Sequence, residues 1–249
     1  MNPKDRLIFA LDVPDKETAR KYVQQLREEV GLFKVGLELF LAEGPTFLEY
    51  LSNEIEPKRI FLDLKLYDIP STILRGIHTI LQGLAMITVP SDQGPTGLKK
   101  IMDEVGMAFK VLAVTVLTSL TGEDLKALGY ASEYVNNIEK LTLLRAEMAK
   151  NSGCHGVICS GLEVKSIKDK FSKNLTGGDF LVICPGIRPK LEVMSWDDQR
   201  RIVTPYEAIK NGADYIVVGR PIRDSNDPVG AARRVVAEIA AGLKERRGP

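Results

Sequence analysis

Eight short β-rich runs, each followed by a helical pattern, constrain this chain more than any other feature. The runs are LIFAL (7–11), LFKVG (32–36), RIFLDL (59–64), LAMITV (84–89), FKVLAVTVL (109–117), HGVICS (155–160), FLVIC (180–184) and DYIVVG (214–219). Several are continuous apolar stretches, as expected for strands covered by helices on both faces. Between them, DKETARKYVQQLRE opens on Asp15 as a cap and sets Ala19, Tyr22, Val23 and Leu26 on one stripe. After Pro70, STILRGIHTILQ repeats Ile73, Ile77, Ile80 and Leu81. TPYEAIKNG reads as a capping box, with Thr204 as cap, Pro205 at the first helical position, Glu207 reaching back and Gly212 as the stop. NDPVGAARRVVAEIAAGLKE opens on Asp227 as its cap. Eight alternations in 249 residues predict an α/β fold, a (β/α)8 TIM barrel in one domain spanning 1–249. A doubly wound open sheet is the alternative. It usually carries a glycine-rich turn after its first strand, whereas Asp12-Val13-Pro14 follows here, and no Walker or dinucleotide glycine motif occurs.

Charge is balanced, 34 basic against 33 acidic residues, so bulk electrostatics points to neither nucleic acid nor a membrane surface. Lys99-Lys100, Arg200-Arg201, Arg233-Arg234 and the terminal KERR read as solvated helix faces. No segment resembles a signal peptide or membrane span. Cys154, Cys159 and Cys184 show no C-x-x-C spacing; an odd, sparse set fits core packing in a reducing cytoplasm.

In such a barrel, chemistry sits at the C-terminal ends of the strands. Asp12 stands there after the first run, Lys34 on the second, Asp63 and Lys65 on the third with Asp68 just beyond, and Thr118-Ser119 after the fifth. Ser160 ends the sixth run, Pro185-Gly186-Ile187-Arg188 the seventh and Gly219-Arg220 the eighth. Strand alternation places Asp63 and Lys65 on one side. An Asp–Lys pair alone is a commonplace ion pair. Two acids around one amine, with Lys34 on the neighbouring strand, form an array that is expensive to bury unless compensated and that clusters at functional sites. Gly219 permits close backbone approach and Arg220 offers a guanidinium fork, the setting of a phosphate site. Residues 185–203 are long for a βα loop and read as a lid, carrying Trp196 and Gln199. Of the two histidines, His78 is placed mid-helix and His155 at the wrong end of its strand, so both read as structural. No Ser-His pair and no metal-type cluster is apparent.

Together, ALDV (10–13), FKVG (33–36), FLDLKLYDIPST (61–72), VTVLTS (114–119), VICSGLEV (157–164), PGIRP (185–189), DDQRRIVTP (197–205) and GADYIVVGRPI (212–222) resemble the bacterial orotidine 5′-phosphate decarboxylase family, along essentially the whole chain. The resemblance implies cofactor-free decarboxylation of orotidine 5′-monophosphate to uridine 5′-monophosphate, with no metal, by a cytoplasmic homodimer. It implies that Lys34, Asp63, Lys65 and Asp68 form the catalytic array, with Lys65 as the general acid. Asp68, Ile69 and Thr72 would enter the partner subunit's site, and Asp12 and Lys34 would hold ribose hydroxyls. Thr118, Ser119 and Gln199 would lie near the pyrimidine or close the lid, and Arg188, Gly219 and Arg220 would serve the phosphate region. The chain departs from the family's common pattern at Tyr67, Ser71 and Pro90-Ser91.

Three other functions use a similar set of residues. A Mg²⁺-dependent decarboxylase of a keto-sugar phosphate shares D-x-K-x-x-D but lacks the Ile69-Pro70 continuation and the 185–199 lid. A Schiff-base aldolase needs Lys65 as a neutral nucleophile, which flanking acids disfavour. An inactive nucleotide-binding barrel is opposed by the intact charged array.

Overall fold

The computed structural model describes residues 2–80, 83–106, 108–171, 180–190 and 201–246. Each of the eight apolar runs coincides with a strand: β1 Leu7–Ala10, β2 Leu32–Gly36, β3 Ile60–Asp63, β4 Met86–Pro90, β5 Lys110–Val114, β6 Gly156–Ile158, β7 Leu181–Cys184 and β8 Tyr215–Val218. All pair in parallel in chain order, and β8 returns to β1. The closing ladder sets Leu7 beside Ile216, Ile8 beside Val217 and Phe9 beside Val218. That closure makes the fold a (β/α)8 TIM barrel and rules out the open sheet.

Strand alternation divides the side chains into two apolar layers. Ile8, Leu32, Phe61, Met86, Leu112, Ile158, Ile183 and Tyr215 fill the barrel interior. Leu7, Phe9, Phe33, Val35, Leu62, Ile87 and Val89 face the helical shell. Full burial of such a side chain stabilises by about 1.5–3 kcal/mol, so the two layers can carry a polar rim at one end. At that rim, the C-terminal ends of the strands, apolar residues give way to Lys34, Asp63 and Thr88.

The predicted caps form. Asp15 Oδ1 accepts the Thr18 N–H at 2.7 Å ahead of the helix Lys16–Leu26. Thr204 and Glu207 cap reciprocally: the Glu207 N–H donates to Thr204 Oγ1 at 3.1 Å, and the Thr204 N–H donates to Glu207 Oε2 at 3.2 Å. Gly212, just past the helix Pro205–Lys210, has φ 115°, a conformation open to glycine. Asp227 Oδ1 accepts the Gly230 N–H at 2.9 Å at the start of the helix Pro228–Arg246.

Most strands stop short of the ends of their apolar runs, β4 extends one residue past its run to Pro90, and two further differences follow. β5 stops at Val114, not 117; beyond the Pro90–Val114 pair the ladder gives way to a side-chain contact, the Ser91 hydroxyl donating to the Val114 carbonyl at 2.6 Å. The helix after β3 runs Pro70–His78, so His78 is its last residue and not a mid-helix one; Leu81 lies outside the described residues. His155 Nδ1 accepts the Val111 N–H at 3.1 Å, a structural role, and burial followed by the charge of Lys110 lowers its pKa. Cys154, Cys159 and Cys184 are free and buried, and burial pushes the Cys154 thiol up to about 12. Among the described residues, no helix is long and apolar enough to cross a membrane.

Candidate active site

Four charged side chains line up across the mouth of β1, β2 and β3. Lys34 points inward from β2, two residues beyond the interior Leu32, and pairs in register with Ala10 and Phe61. Its Nζ lies 2.8 Å from Asp12 Oδ1 and 3.8 Å from Asp63 Oδ2. Lys65 Nζ lies 3.0 Å from Asp63 Oδ1. The result is an alternating string, Asp12–Lys34–Asp63–Lys65, in which each buried charge has an opposite neighbour. Lys34 is 9% exposed and Asp63 15%, whereas the outer members Asp12 and Lys65 are 45% and 40% exposed. The ends of the string are therefore accessible and its middle is built into the barrel.

Gly36 makes room for this string. A Cβ there would fall 2.8 Å from both Asp12 Oδ1 and Lys34 Nζ. The Gly36–Asp63 register pair puts that gap directly beside the Asp63 carboxylate.

Lys65 reaches Asp63 by a different route from the one alternation suggests. β3 ends at Asp63, and Lys65 has φ 49°, the left-handed region that side chains rarely adopt. Its N–H donates to Thr88 Oγ1 at 2.9 Å, and the Leu66 N–H donates to the Thr88 carbonyl at 3.1 Å. The turn curls the amine back toward the carboxylate.

The string borders a cavity of about 390 Å³, whose other walls include Phe61, Val114, Thr118, Ile158, Arg188, Val217, Gly219, Arg220 and Arg223. One wall is apolar, one is charged, and the ends of β7 and β8 supply three guanidinium groups. Pockets of this size class take small organic ligands with a few oriented polar contacts. Arg223 Nη1 donates to the Asp12 carbonyl at 2.6 Å, tying the cationic end to the string. The chain on either side of residues 191–200 is joined: Ile187 and Val203 form a parallel bridge, and the Arg188 N–H donates to the Val203 carbonyl at 3.1 Å. Gln199 and Trp196 lie outside the described residues. A larger open groove, about 670 Å³, lies between the helices Gly94–Val105 and Ile138–Asn151; no strand residue lines it, and its charged residues, Lys99, Lys100, Asp103 and Glu104, stand on one helix, with Lys99 and Asp103 as an exposed i,i+4 pair.

Of the residues singled out in the sequence, Asp12, Lys34, Asp63, Lys65, Thr118, Arg188, Gly219 and Arg220 meet around the cavity. Asp68, Ile69, Thr72 and Ser119 are not among its lining residues. Asp68 is exposed, its carboxylate accepting the Ile69 N–H at 2.6 Å and its carbonyl the Gln93 amide at 2.9 Å. Ile69 is 64% exposed beside Tyr67 at 67%, and Thr72 Oγ1 accepts from Arg75 at 3.1 Å. Three contributors escaped the sequence reading: Thr88, which reads as an ordinary β-branched strand residue; Gly36, which reads as a strand end; and Arg223, hidden in a helical pattern.

Comparison with known proteins places this geometry. The family model described as orotidine 5′-phosphate decarboxylase / HUMPS family matches residues 5–235. An orotidine 5′-phosphate decarboxylase of Desulfosudis oleivorans is 44% identical over 243 residues, covering 97% of this chain and 96% of the relative. One from Methylococcus capsulatus is 42% identical, covering 94% and 92%. The crystal structure of orotidine 5′-phosphate decarboxylase from Lactobacillus acidophilus superposes with a TM-score of 0.75 at 33% identity, covering 94% of this chain and 98% of that one. The chain therefore belongs to the orotidine 5′-phosphate decarboxylase / HUMPS family.

Proposed function

We propose that this chain decarboxylates orotidine 5′-monophosphate to uridine 5′-monophosphate in pyrimidine biosynthesis, without a cofactor. The observation that carries the reading is the Lys65 ammonium, half-exposed to the cavity and 3.0 Å from the Asp63 carboxylate. Breaking the C6–carboxylate bond releases CO₂ and leaves the electron pair on C6. The pyrimidine ring delocalises that pair poorly, so the protein must stabilise it and then quench it. An ammonium does both, first as a fixed positive charge and then by passing its proton to C6. The resulting amine regains a proton from solvent. Asp63, held by its own partners, stands where it crowds the departing carboxylate.

The remaining roles follow the family resemblance. Asp12 and Lys34, which line the cavity, are assigned to the ribose hydroxyls; Thr118, also in its wall, and Ser119, outside it, are assigned to the pyrimidine side, and Gln199 to the lid. Gly219, Arg220 and Arg188 form the cationic end suited to a phosphate. Phosphate binding far from the reacting carbon supplies energy that can be used to assemble the site. The exposed Asp68 and Ile69, with the part-buried Thr72, suit a homodimer in which each subunit completes the other's cavity, and the sparse cysteines suit the cytoplasm.

Lys34 Nζ lies between the Asp12 and Asp63 carboxylates, a place that a bridging Mg²⁺ would need; this favours the metal-free reading over the keto-sugar-phosphate one. The test is loss of orotidine 5′-monophosphate absorbance by the wild type and Lys65→Ala, with and without EDTA. The expected result is EDTA-insensitive turnover by the wild type and none by the variant. Normal turnover by Lys65→Ala, or loss of wild-type activity in EDTA that Mg²⁺ restores, would overturn the assignment.

A further inference from the structure

Thr88 occupies an interior position on β4, two residues beyond the barrel-filling Met86, and is fully buried. Everything below it inside the barrel is apolar, and valine would fill nearly the same volume. A buried hydroxyl is costly unless both its donor and acceptor capacity are used. Here both are used on the charged string. Thr88 Oγ1 accepts the Lys65 N–H at 2.9 Å and stands 2.9 Å from Asp63 Oδ1. A hydroxyl has one proton, so the direction is fixed: the amide donates to the hydroxyl and the hydroxyl donates to the carboxylate.

Three contacts thus close a ring. Thr88 holds the Lys65 backbone, Thr88 holds Asp63 Oδ1, and Lys65 Nζ reaches the same Oδ1 at 3.0 Å. The backbone that the hydroxyl holds is left-handed at φ 49°, the only such non-glycine conformation among the described residues. A side chain in that region persists when its surroundings over-determine it. The Lys65 and Leu66 N–H groups both donate to Thr88, one to its hydroxyl and one to its carbonyl.

From this ring we infer that Thr88 is the positioning residue of the site: its hydroxyl sets the distance and direction between the Lys65 amine and the Asp63 carboxylate. The inference rests on the decarboxylase reading, in which that pair meets the reacting carbon. Thr88 itself is not among the residues that line the cavity. Its removal should therefore slow the chemical step and leave nucleotide binding, which depends on the ribose and phosphate contacts, in place.

The test compares wild type, Lys65→Ala, Thr88→Val, Thr88→Ser and Thr88→Ala. Steady-state kinetics on orotidine 5′-monophosphate, affinity for uridine 5′-monophosphate and thermal melting are measured for each. Loss of one hydrogen bond to a charged group predicts a fall in kcat of about 10- to 100-fold for Thr88→Val. Affinity for uridine 5′-monophosphate should stay at the wild-type value, and Thr88→Ser should return kcat to the wild-type range. If Thr88→Val does not fold, Ser and Ala make the same comparison, since they differ only in the hydroxyl. Wild-type kcat in Val or Ala, a serine variant as slow as alanine, or product affinity falling in step with kcat would each overturn the assignment. A wild type that leaves orotidine 5′-monophosphate unchanged overturns the decarboxylase reading, and Thr88's role with it; an active wild type with a dead Lys65→Ala and an unaffected Thr88→Val overturns Thr88 alone.

Discussion

Gly36→Ala separates what the barrel needs from what the site needs. The backbone at Gly36 has φ −93° and ψ −176°, which alanine adopts without strain. Replacing glycine at such a place restricts the unfolded chain and is worth about 0.4–1 kcal/mol in favour of folding. Against this stands the new Cβ, 2.8 Å from Lys34 Nζ and from Asp12 Oδ1, where ordinary contact begins near 3.4 Å. Both atoms are ends of side chains, so they yield by about 0.6 Å in place of the backbone. Lengthening their 2.8 Å contact by that amount weakens the attraction by about 1 kcal/mol at an effective dielectric constant of about 20. Asp12 is 45% exposed, and solvent screening reduces that figure further. Net stability should therefore change by less than about 1 kcal/mol, read as the urea midpoint at constant m. Activity should fall much more. Displacing positioning groups by a sizeable fraction of an ångström costs up to about 100-fold, and a loss of about 10-fold in kcat/KM is expected. An alanine variant with wild-type kcat/KM would refute the idea that the Asp12–Lys34 pair must hold its place. A collapse of the urea midpoint would refute the claim that side chains, not backbone, absorb the methyl group.

Two other outcomes are expected. In the proposed homodimer with shared sites, Lys65→Ala and Asp68→Ala should each be inactive, yet mixing them after dissociation should recover about one quarter of wild-type activity, since half of randomly formed dimers would carry one intact site; an inactive mixture containing heterodimers would remove Asp68 from the partner's site. Stability should fall as pH rises from about 9 toward 12, because the buried Cys154 thiol keeps its proton in the folded state up to about 12 while the unfolded chain, near 9.0, gives it up. The slope from this group is about 1.4 kcal/mol per pH unit, and Cys154→Ala should flatten the profile above pH 9; equal slopes in both proteins would show that the thiol ionises as readily folded as unfolded.

The strands were readable because a parallel barrel buries both faces of each one, which leaves continuous apolar runs such as LIFAL and FLVIC. The caps at Asp15, Thr204 and Asp227 were readable because capping is local chemistry over three or four residues. The Asp63–Lys65 contact was anticipated for a reason that does not operate: alternation assumes that the strand continues, and β3 ends at Asp63. The left-handed turn that actually brings the amine round depends on Thr88, 23 residues away in sequence, and no local pattern announces it. Gly36 was missed for a related reason. Its importance lies in two side-chain ends that come together only when β1 and β2 pair. Arg223 reaches the carbonyl of Asp12 across the β1–β8 closure, 211 residues apart in the chain.

The left-handed turn at Lys65 also bears on how such a barrel ages. At φ 49° the backbone prefers glycine or asparagine, while the proposed chemistry requires an amine. On that proposal, selection for folding alone would replace Lys65, and selection for turnover keeps it. Drift toward a silent barrel would thus begin with a substitution that makes the protein sturdier, and relaxation at position 65 would mark a lineage that has given up the reaction before its fold shows any decay.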